Sequence, residues 1–151
     1  MSRRGLKLVS RLHVVLFRAS GGRLGGRFRK IGPVLLLTTT GRKSGKQRTT
    51  PLLYVEDGER YVIVASVGGA PSDPAWYLNL SSNPAATIQV GHERIAVSAK
   101  TAAPEERERL WTLAATMYPG YDDYQAKTSR EIPVVVLTPS RPSARTDRPA
   151  G

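Results

Sequence analysis

The feature that most restricts the fold of this chain is a succession of short β-type runs, separated by tight turn signals, that begins after Pro33. Val34-Leu35-Leu36-Leu37-Thr38-Thr39-Thr40 reads as a strand by length and β-branching. A turn-rich loop over 41–46 leads to a second strand over 49–56, and Asp57-Gly58 is a hairpin signal feeding a third over 61–66. Further strands are predicted at 86–91 and 93–100, the latter alternating Ile95, Val97 and Ala99. A last one at 132–138 is almost wholly apolar, which predicts a central position. Between them, Ser72 or Asp73 caps a helix with Pro74 in its first turn, which runs to about Ser81 and stops at Asn83-Pro84. A second helix opens at Pro104, with Glu105, Glu106 and Glu108 near its positive end, and runs to Met117. Six strands joined by hairpins rather than regular βαβ units imply an α+β domain built on a small antiparallel barrel, not a doubly wound sheet.

The ends differ from this middle. Residues 3–20 carry Leu6, Val9, His13, Leu16 and Phe17 on one helical face and Arg4, Lys7, Arg11 and Arg18 in a narrow band on another. A basic amphipathic helix and a glycine-rich linker thus occupy 1–32, the barrel domain 33–139, and a Pro-, Ser- and Arg-rich tail, expected to be disordered, 140–151. The formal net charge is +11, and residues 1–50 contain no Asp or Glu, the first acid being Glu56. An asymmetry of this kind favours an anionic partner at the N-terminal third: a nucleic acid, an anionic membrane surface or a phosphorylated or polycarboxylate ligand. The amphipathic helix suits peripheral attachment to a membrane, and equally a terminal helix packed on its own domain with a solvated basic face. No apolar stretch approaches the roughly 18 residues that span a bilayer. A cytoplasmic protein is expected, with the inner face of the cell membrane as the surface the basic helix would meet.

There is no cysteine, which removes disulfides, thiolate metal sites and cysteine nucleophiles; His13 and His92 lack metal-ligand spacing. Acid–base chemistry by side chains is therefore thin, and an enzyme built this way would rely on a bound cofactor. Three segments could serve one. Gly41-Arg42-Lys43-Ser44-Gly45-Lys46-Gln47-Arg48 offers four cations and two glycines to a phosphate, and Thr40 and Gln47 exclude a Walker A loop; a solvated hairpin loop would look similar. Ser66-Val67-Gly68-Gly69-Ala70-Pro71 can bring backbone close to a flat ligand, or be an ordinary strand-to-helix turn. Tyr118, Tyr121 and Tyr124 recur every three residues, able to orient a substrate or donate a proton, or to cover one barrel end, with Tyr121 central. Trp76 and Tyr77, by burial tendency, belong to the core.

In order along the chain, these words resemble the deazaflavin (coenzyme F420)-dependent nitroreductase family of split-barrel oxidoreductases. The resemblance runs from about Leu36 to Pro139. It rests on Thr39-Thr40-Gly41-Arg42-Lys43-Ser44-Gly45 with Arg48, Thr50-Pro51-Leu52, Asp57-Gly58, Ala65-Ser66 with Gly68-Gly69, and Pro74-Ala75-Trp76-Tyr77 with Asn79-Leu80. Asn83-Pro84, the stretch from Tyr118-Pro119 to Tyr124-Gln125, and Arg130-Glu131-Ile132-Pro133 complete it. The resemblance implies a six-stranded antiparallel split β-barrel, like that of FMN-binding split barrels, with an N-terminal helix and short peripheral helices. It implies that Arg42, Lys43, Ser44, Gly45, Arg48 and Thr49 hold the phosphate and the start of the oligoglutamate tail of coenzyme F420. Ser66, Val67, Gly68 and Gly69 would line the deazaflavin ring, with Ala75, Trp76 and Asn79 closing the pocket. Tyr118, Tyr121 and Tyr124 would face the acceptor, with Tyr121 also against the coenzyme and Ser66 beside the reacting centre. Asp73 stands where the family usually has histidine and Ser72 where lysine is common, which leaves acceptor scope open.

The activity so implied is hydride transfer from reduced coenzyme F420 to a quinone, an activated alkene or a nitroaromatic. FMN in the same role, a carrier that binds deazaflavin without turnover, and a basic nucleic-acid-binding module are the alternatives. Against the last, aromatic residues make up only 7% of the chain and no recognition helix or RNP-type stripe is visible.

Overall fold

The structure, a computed structural model, describes residues 32–140; the basic helix predicted over 3–20, its linker and the tail from 141 onward lie outside the described residues. Seven strands form one antiparallel sheet: β1 (Val34–Thr40), β2 (Gln47–Leu53), β3 (Val55–Asp57), β4 (Arg60–Val64), β5 (Ala85–Val90), β6 (Glu93–Thr101) and β7 (Val134–Pro139). The helices are α1 (Ala75–Ser82), α2 (Pro104–Met117) and α3 (Gly120–Lys127), with a short 3-10 turn over Val67–Gly69. The strand order is β2-β1-β5-β6-β7-β4-β3.

Seven strands stand where the sequence predicted six, because the segment read as one strand over 49–56 changes partner midway. Up to Leu53 it pairs with β1, and from Val55 it pairs with β4. Only Tyr54, whose N–H donates to the Pro33 carbonyl at 3.1 Å, separates the two ladders. The two ends of the sheet order are therefore consecutive in the chain. A flat sheet cannot satisfy that connection, so the sheet curls until its edges meet. The apolar 132–138 segment is central as expected, β7 lying between β6 and β4, although the strand starts at Val134. The preceding Pro133 has no N–H to give a ladder, and its carbonyl accepts from Ala65 at 2.9 Å.

Alternation along the strands sorts two sets of side chains. Leu35, Leu37, Ile63, Ala65, Ile88, Val97, Val135 and Leu137 turn inward, and Trp76 and Leu80 of α1 pack among them. The other face of β4 and β7 presents Val62, Val134 and Val136 to Leu110 of α2, while Val64 meets Ala114, Tyr121 and Ile132. Burial on both faces explains why these strands read as continuous apolar runs. Each buried Val, Leu or Ile among them contributes about 1.5–3 kcal/mol relative to exposure.

The β3–β4 hairpin is tied to α2 by a charge network. Asp57 accepts from Arg109 at 2.9 and 3.1 Å and from Arg60, which also reaches Glu106 at 3.1 Å. Hydrogen bonds from Arg109 and then Arg60 lower the Asp57 pKa to about 2. A depressed carboxylate adds stability above its unfolded value and loses it as pH falls through the folded one. Asp57→Asn is accordingly expected to cost about 1 kcal/mol at pH 7, allowing for solvent screening. Thermal melts of both proteins should converge as the pH falls from about 4 to 2. A melting difference as large at pH 2 as at pH 7 would remove the ionic explanation.

Candidate active site

Strand polarity gathers the predicted segments at one end of the barrel. Starting from β1 and crossing β5, β6 and β7, each antiparallel to the last, β4 runs in the same direction as β1. The β1–β2 loop and the segment after β4 therefore leave from the same end, as does the strap 128–133 that enters β7. The β3–β4 and β5–β6 turns, the latter with His92, lie at the opposite end.

The β1–β2 loop is a closed turn. Gly41 N–H donates to Lys46 O and Gly45 N–H to Gly41 O, each at 2.8 Å, and Ser44 Oγ accepts from Lys46 N–H at 3.1 Å. A Cβ on Gly41 would sit 2.8 Å from that Ser44 oxygen and 3.2 Å from Lys46 O, so a side chain there would displace the Ser44 hydroxyl from its bond. Arg42 is anchored: its backbone N–H and one guanidinium nitrogen donate to Asn79 Oδ1 at 3.2 and 3.1 Å. Asn79, buried in α1, also donates to Thr39 Oγ1 at 3.2 Å. Thr49 Oγ1 and Thr38 Oγ1 lie 2.8 Å apart. Lys43, Lys46 and Arg48 are exposed, and among the described residues no carboxylate pairs with them. Three solvated cations, two on the hydrogen-bonded turn and Arg48 at the start of β2, form an attractor for an anion.

After β4 the backbone enters a conformation that L residues avoid. Val67, Gly68 and Gly69 have φ of 44°, 62° and 81°. For a β-branched residue this is an outlier, of order 1–3 kcal/mol, of the kind concentrated at ligand sites. Val67 is also 52% exposed. Around Gly68 a Cβ would meet nothing within 4 Å, whereas on Gly69 it would meet Tyr124 O at 2.8 Å. One glycine thus faces open space, and the other is the contact that seats the turn on α3. Ser66 is buried, and its hydroxyl makes no cap bond to the turn.

The tyrosines divide. Tyr118 and Tyr124, both half-buried, place their hydroxyls 2.8 Å apart, and Lys127 Nζ stands 5.8 Å from the Tyr124 ring centroid. The shared hydrogen bond, with burial second, raises the Tyr118 pKa above the ordinary phenol value. Tyr121 is 5% exposed and packs on Val64, Ala114 and Ile132, so the residue central in the sequence cluster is the one most embedded in the core. Burial, then the neighbouring phenols, pushes its pKa well up. Trp76 is likewise a core residue, while Ala75 is exposed. A separate cleft of about 190 Å³, bounded by Tyr77, Ser81, Pro84, Lys100 and Thr101, includes none of the predicted site residues.

Comparison with known proteins decides the family. Residues 9–139 match the family described as F420H(2)-dependent quinone reductase. The chain belongs to that family. An F420H(2)-dependent quinone reductase of Mycobacterium tuberculosis is 47% identical over 137 residues, covering 89% of this chain and 91% of that protein. The solved structure of an F420-H2-dependent reductase is 46% identical, with a TM-score of 0.65 over 70% of this chain and 93% of its own. The barrel also resembles the Vibrio cholerae heme storage protein HutZ, with 16% identity and a TM-score of 0.55 over 75% of this chain and 85% of that one; this likeness concerns the fold alone.

Around the candidate site, three residues make contacts that the sequence did not indicate. Asp73, expected as a helix cap, instead accepts from Arg130 at 2.8 Å, and Pro74 takes the cap position with no side-chain bond. Arg130 stands in a word that carried the family resemblance but had no role assigned. Gln125 accepts from the Ile132 N–H at 2.9 Å and donates to Arg130 O at 2.7 Å, fastening the strap to α3. Its place in the Arg130-Glu131-Ile132-Pro133 word is all that marked Arg130, since three of its four acceptors are backbone carbonyls far along the chain.

Proposed function

We propose that this chain binds reduced coenzyme F420 at the end of the barrel and reduces a quinone there. The observation that carries the reading is the convergence, at that end, of an unpaired basic loop, a left-handed glycine turn and a hydrogen-bonded tyrosine pair. The residues fit the coenzyme: an open cradle at Gly68 suits a flat ring, and Lys43, Lys46 and Arg48 suit a phosphate and carboxylate tail. When bound, the reduced deazaflavin supplies a hydride to the acceptor.

The chain's own residues then divide the work. Lys43 and Arg48 hold the anionic tail, and Arg42, anchored by Asn79, fixes the turn that presents them. Ser66, with its hydroxyl free of any cap bond, and the backbone of Val67, Gly68 and Gly69 line the ring. Tyr118 and Tyr124 orient the acceptor and supply a hydrogen bond, or a proton, to its carbonyl oxygen as charge develops. With the Tyr118 pKa raised, that phenol remains a donor at neutral pH. Ala75 lies at the rim, and Trp76 supports it from the core. Activated alkenes and nitroaromatics are further acceptors under this proposal.

Fluorescence titration with oxidised and reduced coenzyme F420, followed by turnover with a soluble quinone, tests the reading. Tight binding with quinone-dependent oxidation is expected. Binding without turnover would favour a carrier, and bound FMN in its place would favour the flavin alternative.

The proposal extends to the anionic membrane surface, where lipid-soluble quinones reside. Among the described residues no helix is long and apolar enough to cross a membrane. The basic band of residues 3–20 would instead attach the chain peripherally. Anionic liposomes are expected to retain the intact chain at low salt and release it at high salt, since surface attraction fades over a Debye length of about 8–10 Å. Changing Arg4, Lys7, Arg11 and Arg18 to glutamine should abolish retention. Equal sedimentation of that variant would rule residues 3–20 out as the anchor.

A further inference from the structure

We propose that Arg130 is a positioning residue that registers the glycine turn against the tyrosine helix, and thereby sets how ring and acceptor face each other. The inference rests on the coenzyme reading above.

The guanidinium donates from all three nitrogens into the segment that carries the turn. Nε reaches Ala70 O at 2.8 Å, Nη1 reaches Asp73 Oδ1 at 2.8 Å, and Nη2 reaches Ala65 O at 3.1 Å and Ser66 O at 2.9 Å. These acceptors bracket Val67–Gly69 on both sides. The turn's own bonds are few, Gly69 N–H to Ser66 O and Ala70 N–H to Val67 O at 3.0 and 3.1 Å. A strained Val67 held by so little would relax unless its flanks were fixed from outside. Arg130 fixes them from outside, beside the Ala65 N–H bond to the Pro133 carbonyl of the same strap.

Its main chain is tied to the other half of the site. Gln125, on α3 beside Tyr124, donates to Arg130 O at 2.7 Å and accepts from Ile132 N–H at 2.9 Å. Arg107 of α2 secures the same strap, donating to Gln125 Oε1 at 3.2 Å and to Ile132 O at 2.8 Å. Backbone fastened to the tyrosine helix and side chain fastened to the glycine turn make Arg130 the polar link between them. The direct contact of Gly69 with the Tyr124 backbone is the steric link. With only 15% of the side chain exposed, and Asp73 balancing its charge, Arg130 is built for geometry rather than for anion capture. A lysine has one nitrogen and cannot serve acceptors spread this way.

The test uses the full chain, with Arg130→Lys and the milder Asp73→Asn. Amide hydrogen exchange, measured without coenzyme, is expected to rise by about tenfold across 66–70 in Arg130→Lys while β1 and β5 keep their protection. Asp73→Asn should raise it less, since three carbonyl acceptors remain. With coenzyme F420 and a soluble quinone, kcat of Arg130→Lys should fall about tenfold with the quinone KM within about twofold, the pattern of lost alignment. Turn exchange equal to the parent's in both variants overturns the clamp, as does unchanged turn exchange in Asp73→Asn if Arg130→Lys does not fold. Loosened exchange with parental kcat overturns the positioning role. A parent chain that binds no coenzyme F420 overturns the coenzyme reading and, with it, that role; the exchange arm still reports on the clamp by itself.

Discussion

Replacing Lys43 and Arg48 together with alanine is expected to weaken coenzyme F420 binding by about 2–4 kcal/mol, because charge-assisted bonds contribute roughly 1.5–3 each and combine imperfectly. Both side chains are exposed and have no carboxylate partner among the described residues, so their removal breaks nothing inside the protein. Thermal stability should stay within about 0.5 kcal/mol of the parent, as for surface changes away from buried networks. The loss should shrink when the titrant is the deazaflavin lacking phosphate and glutamates, since that ligand has no tail for the loop to hold. Arg42→Ala behaves differently: Asn79 Oδ1 would lose one of its two donors, loosening the turn as well as removing a charge. If the Lys43/Arg48 double variant binds the intact coenzyme within twofold of the parent, the loop is only a solvated hairpin.

Tyr118→Phe and Tyr124→Phe are expected to lower quinone turnover by up to about 10²-fold with coenzyme affinity little changed. Each change keeps the ring and removes one hydroxyl of a pair 2.8 Å apart. The survivor can no longer be held in place by its neighbour. Tyr121→Phe is expected to be nearly silent in turnover, because its ring already packs with Val64, Ala114 and Ile132. The raised Tyr118 pKa predicts that any basic limb from this phenol falls above the range of an ordinary phenol in the rate profile. Steady-state rates with a quinone and a nitroaromatic, beside melting curves, decide the matter. Full activity in both Tyr118→Phe and Tyr124→Phe would return the cluster to the core and send the search for the acceptor pocket elsewhere.

Much of the fold was legible because its signals are local. The hairpin across Gly91-His92 and the helix opening at Pro104 need only neighbouring residues to declare themselves, and both are found within a residue or so of their expected bounds. The break at Tyr54 was not legible, since β-propensity continues through it; only closure of the sheet decides where a strand changes partner. Helix α3 escaped because it starts at glycine and mixes tyrosine with aspartate, leaving a weak apolar stripe. At the site, the glycines and the basic loop announce themselves by composition. Arg130 does not, for its carbonyl partner at Ala70 lies sixty residues earlier. Backbone acceptors leave no trace in side-chain identity.

The central place of β7 also bears on how the protein is made. Its ladders to β4 and β6 join Tyr61 to Leu137 and Val97 to Pro139, and it is the last of the described strands to leave the ribosome. Until then β4 and β6, neighbours of β7 on either side, each lack a partner along one edge. Nascent chains would therefore carry two open strand edges, that of β4 apolar, for seconds, at elongation rates of about 5–20 residues per second. Premature termination before Val134 would strand them permanently. Closure of the sheet thus waits on the codons for Val134–Pro139, and ribosome stalling ahead of them should yield aggregates rather than a partly folded, recoverable domain.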